Sequence, residues 1–236
     1  MFDFWAFAGY LDNGFLLRGV AVTVGLTVAS LAGGLLLGTV LALMRAGGGP
    51  GLPGRVLPRL AAFYVWVFRG TPLLVQLVIV YTGLPQLGLK FGVVMSAVVA
   101  LTLNEGAYLS EIIRAGFSSV PPGQRDAARA LGLSRARTVW LVTLPQAFRI
   151  IIPPLGNSVN GLLKATSITS VISMEELMRR SQMIMQLKFE VLEVYCVAAV
   201  YYLALTTLWD FAQRALERRF GRGYAPPPVR AAAGRA

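Results

Sequence analysis

The sequence predicts an all-α membrane protein of about five transmembrane helices, and three observations carry that expectation. The chain is 56% hydrophobic and only 14% charged, whereas soluble domains carry about 25% charge. The apolar residues gather into runs long enough to cross a bilayer, which takes roughly 20 residues each. Most of the basic residues fall between those runs, as they do in cytoplasmic loops. A mean hydropathy of +0.63 fits a protein whose outer face meets lipid.

The first span is read over Leu16–Met44 and is broken by the glycine-rich stretch Gly47-Gly48-Gly49-Pro50-Gly51. It carries Gly25, Ala29, Ala32, Gly33, Gly34, Gly38 and Ala42, small residues that let another helix backbone approach. That contact lies either within the chain or with a second subunit. The second span is read over Leu60–Leu84, interrupted at Arg69-Gly70-Thr71-Pro72. Thr71 is placed to cap a helix starting at Pro72. Such a break turns a positive helix end toward an anionic group in several transporters. Arg69 either joins that site or snorkels to the head groups.

The third span is read over Gly92–Arg114 and contains Asn104 and Glu105. An intramembrane carboxylate is costly, so Glu105 is expected to pair with Lys164 or with a substrate amine. Pairing inside the protein is the preferred reading.

The stretch after it, about 118–143, is long for a connection, and long ordered connections are commonly functional. It reads as two short helices. Pro121-Pro122 opens the first, and Asp126 is expected near its positive end. Ala127, Ala128 and Ala130 favour helix, and Gly132 supplies a left-handed stop. Ser134 caps the second helix, and Pro145 is expected to end or kink the helical run beyond it. A small-residue helix with basic flanks suits a partner's groove; a helix lying on the lipid surface is the other reading.

The fourth span is read from near Phe148 and loses its character around Lys164. There Thr166, Ser167, Thr169 and Ser170 supply hydroxyls able to satisfy backbone groups freed where a helix unwinds. The fifth span is read over Val191–Ala212. The membrane domain is thus expected over residues 1–220, with a disordered cytoplasmic tail over 221–236.

Orientation follows from the basic residues. Arg45, Arg55 and Arg59, then Arg125, Arg129, Arg135 and Arg137, then Arg214, Arg218, Arg219, Arg222, Arg230 and Arg235 belong inside. On the opposite side Lys90, Arg179, Arg180 and Lys188 are offset by Asp3, Asp12, Glu175, Glu176, Glu190 and Glu193. Five spans with the N-terminus out and the C-terminus in satisfy both sets.

Composition also removes function classes. The chain has no histidine and one cysteine, Cys196, which argues against metal sites, internal disulfides and most acid–base catalysis. No G-x-x-x-x-G-K-[ST] phosphate loop is present, so ATP hydrolysis is not expected of this chain. The net charge of +11 is topological rather than a nucleic-acid footprint. Met1–Asn13 lacks a basic region followed by a cleavage site, so no removed signal peptide is expected.

Asp126-Ala127-Ala128, then Gly132, then Leu144-Pro145 resembles the EAA loop of ABC importer permeases, with Asp126 where glutamate is more usual. Phe68-Arg69-Gly70-Thr71-Pro72-Leu73-Leu74-Val75-Gln76, Ala107–Arg114, Leu144–Ala147 and Pro154–Asn157 look like the polar amino acid branch of that family. The resemblance spans about residues 15–215. It implies a type I ABC importer permease in the bacterial cytoplasmic (inner) membrane. It implies ATPase coupling through Asp126, Ala127, Ala128, Leu131, Gly132 and Leu133. It implies substrate binding by Gly70, Thr71, Asn104, Lys164, Ala165, Thr166 and Ser167. The implied partners are ABC ATPase subunits, a second permease (the same or a sister chain), an extracytoplasmic binding protein and an amino acid. ATP would bind the partner, and no cofactor or metal this chain. The family usually reads Lys-Asp-Thr-Ser where this chain has Lys164-Ala165-Thr166-Ser167. The site is therefore incomplete, retuned toward uncharged side chains, or completed by a sister subunit. The competing class is an ion-coupled transporter or channel using Glu105 and Lys164 as a relay, which the lack of an evident inverted repeat disfavours.

Overall fold

A computed structural model describes residues 2–46 and 52–221. The expected glycine break at Gly47–Gly51 and the tail from residue 222 lie outside the described residues. Among the described residues every regular element is helical: α1 (Phe4–Tyr10), α2 (Gly14–Ala46), α3 (Leu52–Gly70), α4 (Leu73–Val78), α5 (Val93–Ser118), α6 (Pro122–Ala130), α7 (Arg135–Thr138), α8 (Leu144–Ala165), α9 (Leu177–Lys188) and α10 (Val191–Gly221). Four of these stretches are long and apolar enough to cross a membrane, and a fifth crossing results when the bent pair around Pro72 is taken as one span.

Local chemistry sets most boundaries. The Asp3 carboxylate accepts the N–H groups of Trp5 and Ala6 to start α1. The Asn13 side chain accepts from Phe15 and Leu16 to start α2. The small-residue stripe of α2 faces α5. A Cβ on Gly38 would stand 3.0 Å from the Leu109 Cβ and from the Ser110 amide, and one on Gly34 3.0 Å from the Glu105 side chain. These glycines therefore serve packing within the chain, where only bare backbone fits. The pair α2–α5 forms the centre, and α8 and α10 pack beside it.

The fourth span differs from expectation. It begins near Arg135 rather than Phe148, and Arg135–Ile172 forms one stretch of 38 residues. Pro145 does not end the helix. It sits inside the continuous stretch, and the turn before it, Val139–Thr143, widens to a π-helix that accommodates the ring and its missing N–H. The Gln146 side chain then donates to the Val142 carbonyl at 3.0 Å.

Beyond α8 the chain tightens to a 3₁₀ segment, Thr166–Ile172, and turns at Ser173 with φ 64°. It then enters α9, which packs across α2. Glu176, fully buried, fastens that helix. Its carboxylate accepts from the Met178 and Arg179 amides at 2.8 Å and from the Tyr202 hydroxyl of α10 at 2.9 Å. The Leu177 amide donates to Thr23 Oγ1 of α2 at 3.3 Å. Burial pushes the Glu176 carboxyl above the usual carboxylate range, although these hydrogen bonds oppose it.

Candidate functional site

The first helix break falls at Gly70–Pro72, where α3 and the segment Leu73–Leu87 meet at 105°. Pro72 forces the residue before it out of helical geometry and itself takes an extended conformation. The capping expected of Thr71 is not made. Its hydroxyl turns back and donates to the Val67 carbonyl at 2.8 Å, because the chain N-terminal to it is already helical and offers that acceptor first. No side chain caps α4.

The freed carbonyls are met instead by two amides. Gln76 Nε2 donates to the Phe68 carbonyl at 2.9 Å and to the Thr71 carbonyl at 3.1 Å. Asn104 Nδ2, from α5, donates to Gln76 Oε1 at 2.9 Å and to the same Phe68 carbonyl at 3.3 Å. Gln76 is buried, while Gly70 and Thr71 are exposed. Asn104 thus joins the first break, and Gln76 is a residue that sequence reasoning passed over. Its signal was present: an amide within the apolar run that follows Pro72 needs a partner in lipid. Arg69 is exposed, with its guanidinium 5.3 Å from the Tyr108 ring centroid.

The second break is the change from α to 3₁₀ geometry after Ala165. Thr166, Ser167 and Thr169 each donate a hydroxyl hydrogen bond three residues back, to the Leu163, Lys164 and Thr166 carbonyls, all at 2.7 Å. Thr166 and Thr169 are fully buried, Ala165 and Ser167 half-buried, and Lys164 exposed. The two breaks meet through packing: the 3₁₀ segment lies against α4 and α5, with Leu77, Val80, Ala97, Ala100, Ile172 and Met174 in one apolar cluster.

Glu105 does not pair with Lys164. Its carboxylate accepts from the Ser158 hydroxyl of α8, which reaches it first as α8 packs directly on α5. Lys164 makes no ion pair among the described residues. A relay between these two residues has no contact to run through.

A further intramembrane acid, Asp210, lies within the fifth span and went unremarked in the sequence. Its carboxylate accepts from Asn160 Nδ2 of α8 at 2.8 Å. The adjacent Trp209 donates its Nε1 to the Gly156 carbonyl, one turn before Asn160 on α8, at 2.8 Å, so α8 and α10 are joined by polar contacts. An acid in an apolar run was itself the signal.

The helical loop closes as its residues dictate. Pro122 opens α6, Gly132 takes φ 79°, and its amide donates to the Arg129 carbonyl at 2.9 Å while the Leu133 amide reaches Ala128 at 3.1 Å. The Ser134 hydroxyl accepts from the Arg137 amide at 3.4 Å to start α7. Asp126 is not in the first turn of α6 but at its fifth residue, because the helix begins at Pro122. Ala128 is buried, whereas Asp126, Ala127 and Gly132 are exposed, Leu133 is half-buried, and Leu131 is 84% exposed at the tip. From α7 the helix runs without interruption into α8 and so to the second break.

Apolar spans broken twice in contact with one another, and a capped helical loop that continues into one of those breaks, define the membrane subunit of a transport system. The chain belongs to the family of inner membrane components of binding-protein-dependent transport systems, which it matches over residues 34–222. It is accordingly a multi-pass protein of the inner membrane. It is 41% identical over 206 residues to the arginine transport system permease protein ArtQ of Bacillus subtilis, covering 87% of this chain and 92% of that one. It is 39% identical over 206 residues to the glutamine transport system permease protein GlnP of Escherichia coli, covering 86% and 92%. A crystal structure of an amino acid ABC transporter with histidines superposes with a TM-score of 0.84 at 36% identity, covering 93% of this chain and 99% of that one.

Proposed function

We propose that the chain is the permease subunit of an ATP-driven importer that receives a polar amino acid from an extracytoplasmic binding protein. The observation that carries the reading is the unbroken helix from the capped loop through α7 and α8 to the break at Thr166. A loop that only connected spans would have no use for such a lever. Asp126 to Leu133 form the docking knob for a partner ATPase, with exposed Leu131 at its tip. ATP binds that partner, and this chain carries neither catalysis nor a cofactor. A second permease, identical or sister, completes the pathway. The N-terminus lies outside and the C-terminus inside, which puts the loop on the ATPase side.

Similarity to permeases named for arginine, glutamine and L-cystine supports an amino acid as cargo. Around the two breaks, exposed Gly70 and Thr71, with Lys164 and Ser167, are the groups this chain offers it. Ala165 in place of an acid removes the partner for a cationic side chain, so a cargo with an uncharged polar side chain fits best. Uptake of labelled amino acids into proteoliposomes tests the reading. The complex isolated from membranes should require both internal ATP and external binding protein. Uptake driven by an ion gradient without ATP would replace it with the ion-coupled class. Ala165→Asp is expected to shift preference toward amino acids with cationic side chains.

A further inference from the structure

The root of α8 and the end of α10 enclose a groove of about 510 Å³ lined by Leu144, Pro145, Phe148, Arg149, Arg219 and Phe220. Neither the two breaks nor the coupling loop uses it. Its wall is almost entirely apolar, with Phe148 49% and Phe220 43% exposed, yet two arginines line it. Among the described residues neither arginine has a carboxylate within ion-pair distance. Glu217, two positions before Arg219, is engaged by the Gln213 amide at 2.8 Å.

Depth narrows the occupant. The apolar part of α10, Val191–Ala212, has 22 residues, and Arg214, Arg218 and Arg219 follow it. At about 1.5 Å per residue it is about 33 Å long, close to the hydrocarbon core of a bilayer. Arg219 and Phe220 stand about 10 Å beyond it, at the outer edge of the head-group layer. Pro145 and Arg149, one turn apart on α8, arrive at the same level beside them. A mostly apolar wall carrying two guanidiniums that, among the described residues, have no carboxylate partner matches one kind of molecule, an amphiphile with an anionic head. A phosphorylated solute would leave Phe148 and Phe220 unused, and a zwitterionic lipid would leave the arginines half-answered. Arginine forks bind phosphate oxygens in pairs, which lysine does not.

We propose that this groove binds the phosphate head group of an anionic phospholipid, with an acyl chain laid against Phe148. In the orientation proposed above, on which this assignment of leaflet rests, the lipid belongs to the cytoplasmic leaflet. It bridges the root of the α8 lever to α10, so membrane charge sets how freely that root moves.

The test uses the full complex isolated from membranes, with phosphatidylglycerol as probe, phosphatidylcholine as control and inorganic phosphate as competitor, read by native mass spectrometry. The wild type should retain phosphatidylglycerol over phosphatidylcholine by more than about tenfold, as expected of two basic residues at an anionic surface. R149Q/R219Q should lose that preference. R149K/R219K, which keeps charge but not the fork, should lose part of it. A photo-crosslinker at position 148 on the otherwise unchanged chain should capture lipid, which keeps the test valid if the double variant assembles poorly. Equal phosphatidylglycerol retention in R149Q/R219Q, displacement by millimolar phosphate, or capture of the ATPase at position 148 would each overturn the site. Because detergent binding does not depend on leaflet, a wrong orientation would show separately, as accessibility of Arg219→Cys from the outer face.

Discussion

The two helix breaks solve one problem in opposite ways. At Gly70–Pro72 the carbonyls left open by a 105° bend are met from a distance, by Gln76 and by Asn104 of another helix. At Thr166 the chain narrows gradually, and hydroxyls three residues on meet each carbonyl locally. The first is a brace that needs α5 in place. The second carries its own hydrogen bonds, so it can shift with α8 without leaving polar groups bare in lipid. The loop lever arrives at the second. In the proposed importer the first break is the fixed brace and the second the end that moves.

The largest effect is expected at the far end of the lever. Ala128 is buried at 4% exposure, and Ala128→Glu forces a carboxylate into that contact. Transport should fall more than about tenfold, a loss of some 1.4 kcal/mol or more in coupling, while the protein still inserts. Membrane fractionation and uptake assays separate the two. At the brace, Gln76→Ala should cost about 1–3 kcal/mol, because the Thr71 carbonyl loses its side-chain donor and the Phe68 carbonyl keeps only the longer bond from Asn104. That lowers the melting temperature in detergent by several degrees, and Asn104→Ala should not add to it fully, since both amides share one network.

Glu176, outside both breaks, anchors the segment that comes after the second. Its carboxyl is raised by burial, so the folded protein holds that proton more tightly than the unfolded chain. The stabilisation is present below the ordinary carboxylate value of about 4.3 and is lost as pH rises through the higher folded value. The fall in melting temperature between acid and neutral pH should therefore flatten in Glu176→Gln. The smallest effect is expected at the second break itself. Thr169→Val removes one hydroxyl hydrogen bond to the Thr166 carbonyl and should cost under about 1 kcal/mol in the same melt.

Most of the architecture was legible in the residues. Apolar run lengths gave the spans, and Gly132 and Ser134 gave the loop its stop and its cap. Three features were not legible, for physical reasons. Pro145 reads as a helix end or kink, but a π-turn just before it lets the helix run through, so the fourth span starts near Arg135. Thr71 reads as a cap, but its hydroxyl meets the carbonyl behind it before any amide ahead. Glu105 and Lys164 read as an ion pair, but partner choice depends on which α8 face meets α5, and that face presents Ser158. Caps and stops are local and show in sequence. Cross-helix partners depend on helix rotation and do not.

The most direct test of the lever is Gly132→Pro. Gly132 sits at φ 79° and donates its amide to Arg129, and proline permits neither. Equal amounts of wild-type and Gly132→Pro complex would be placed in proteoliposomes with internal ATP and external binding protein. The account predicts that the variant inserts normally and imports less than about a tenth of the wild-type amount. Equal uptake by the two would contradict it.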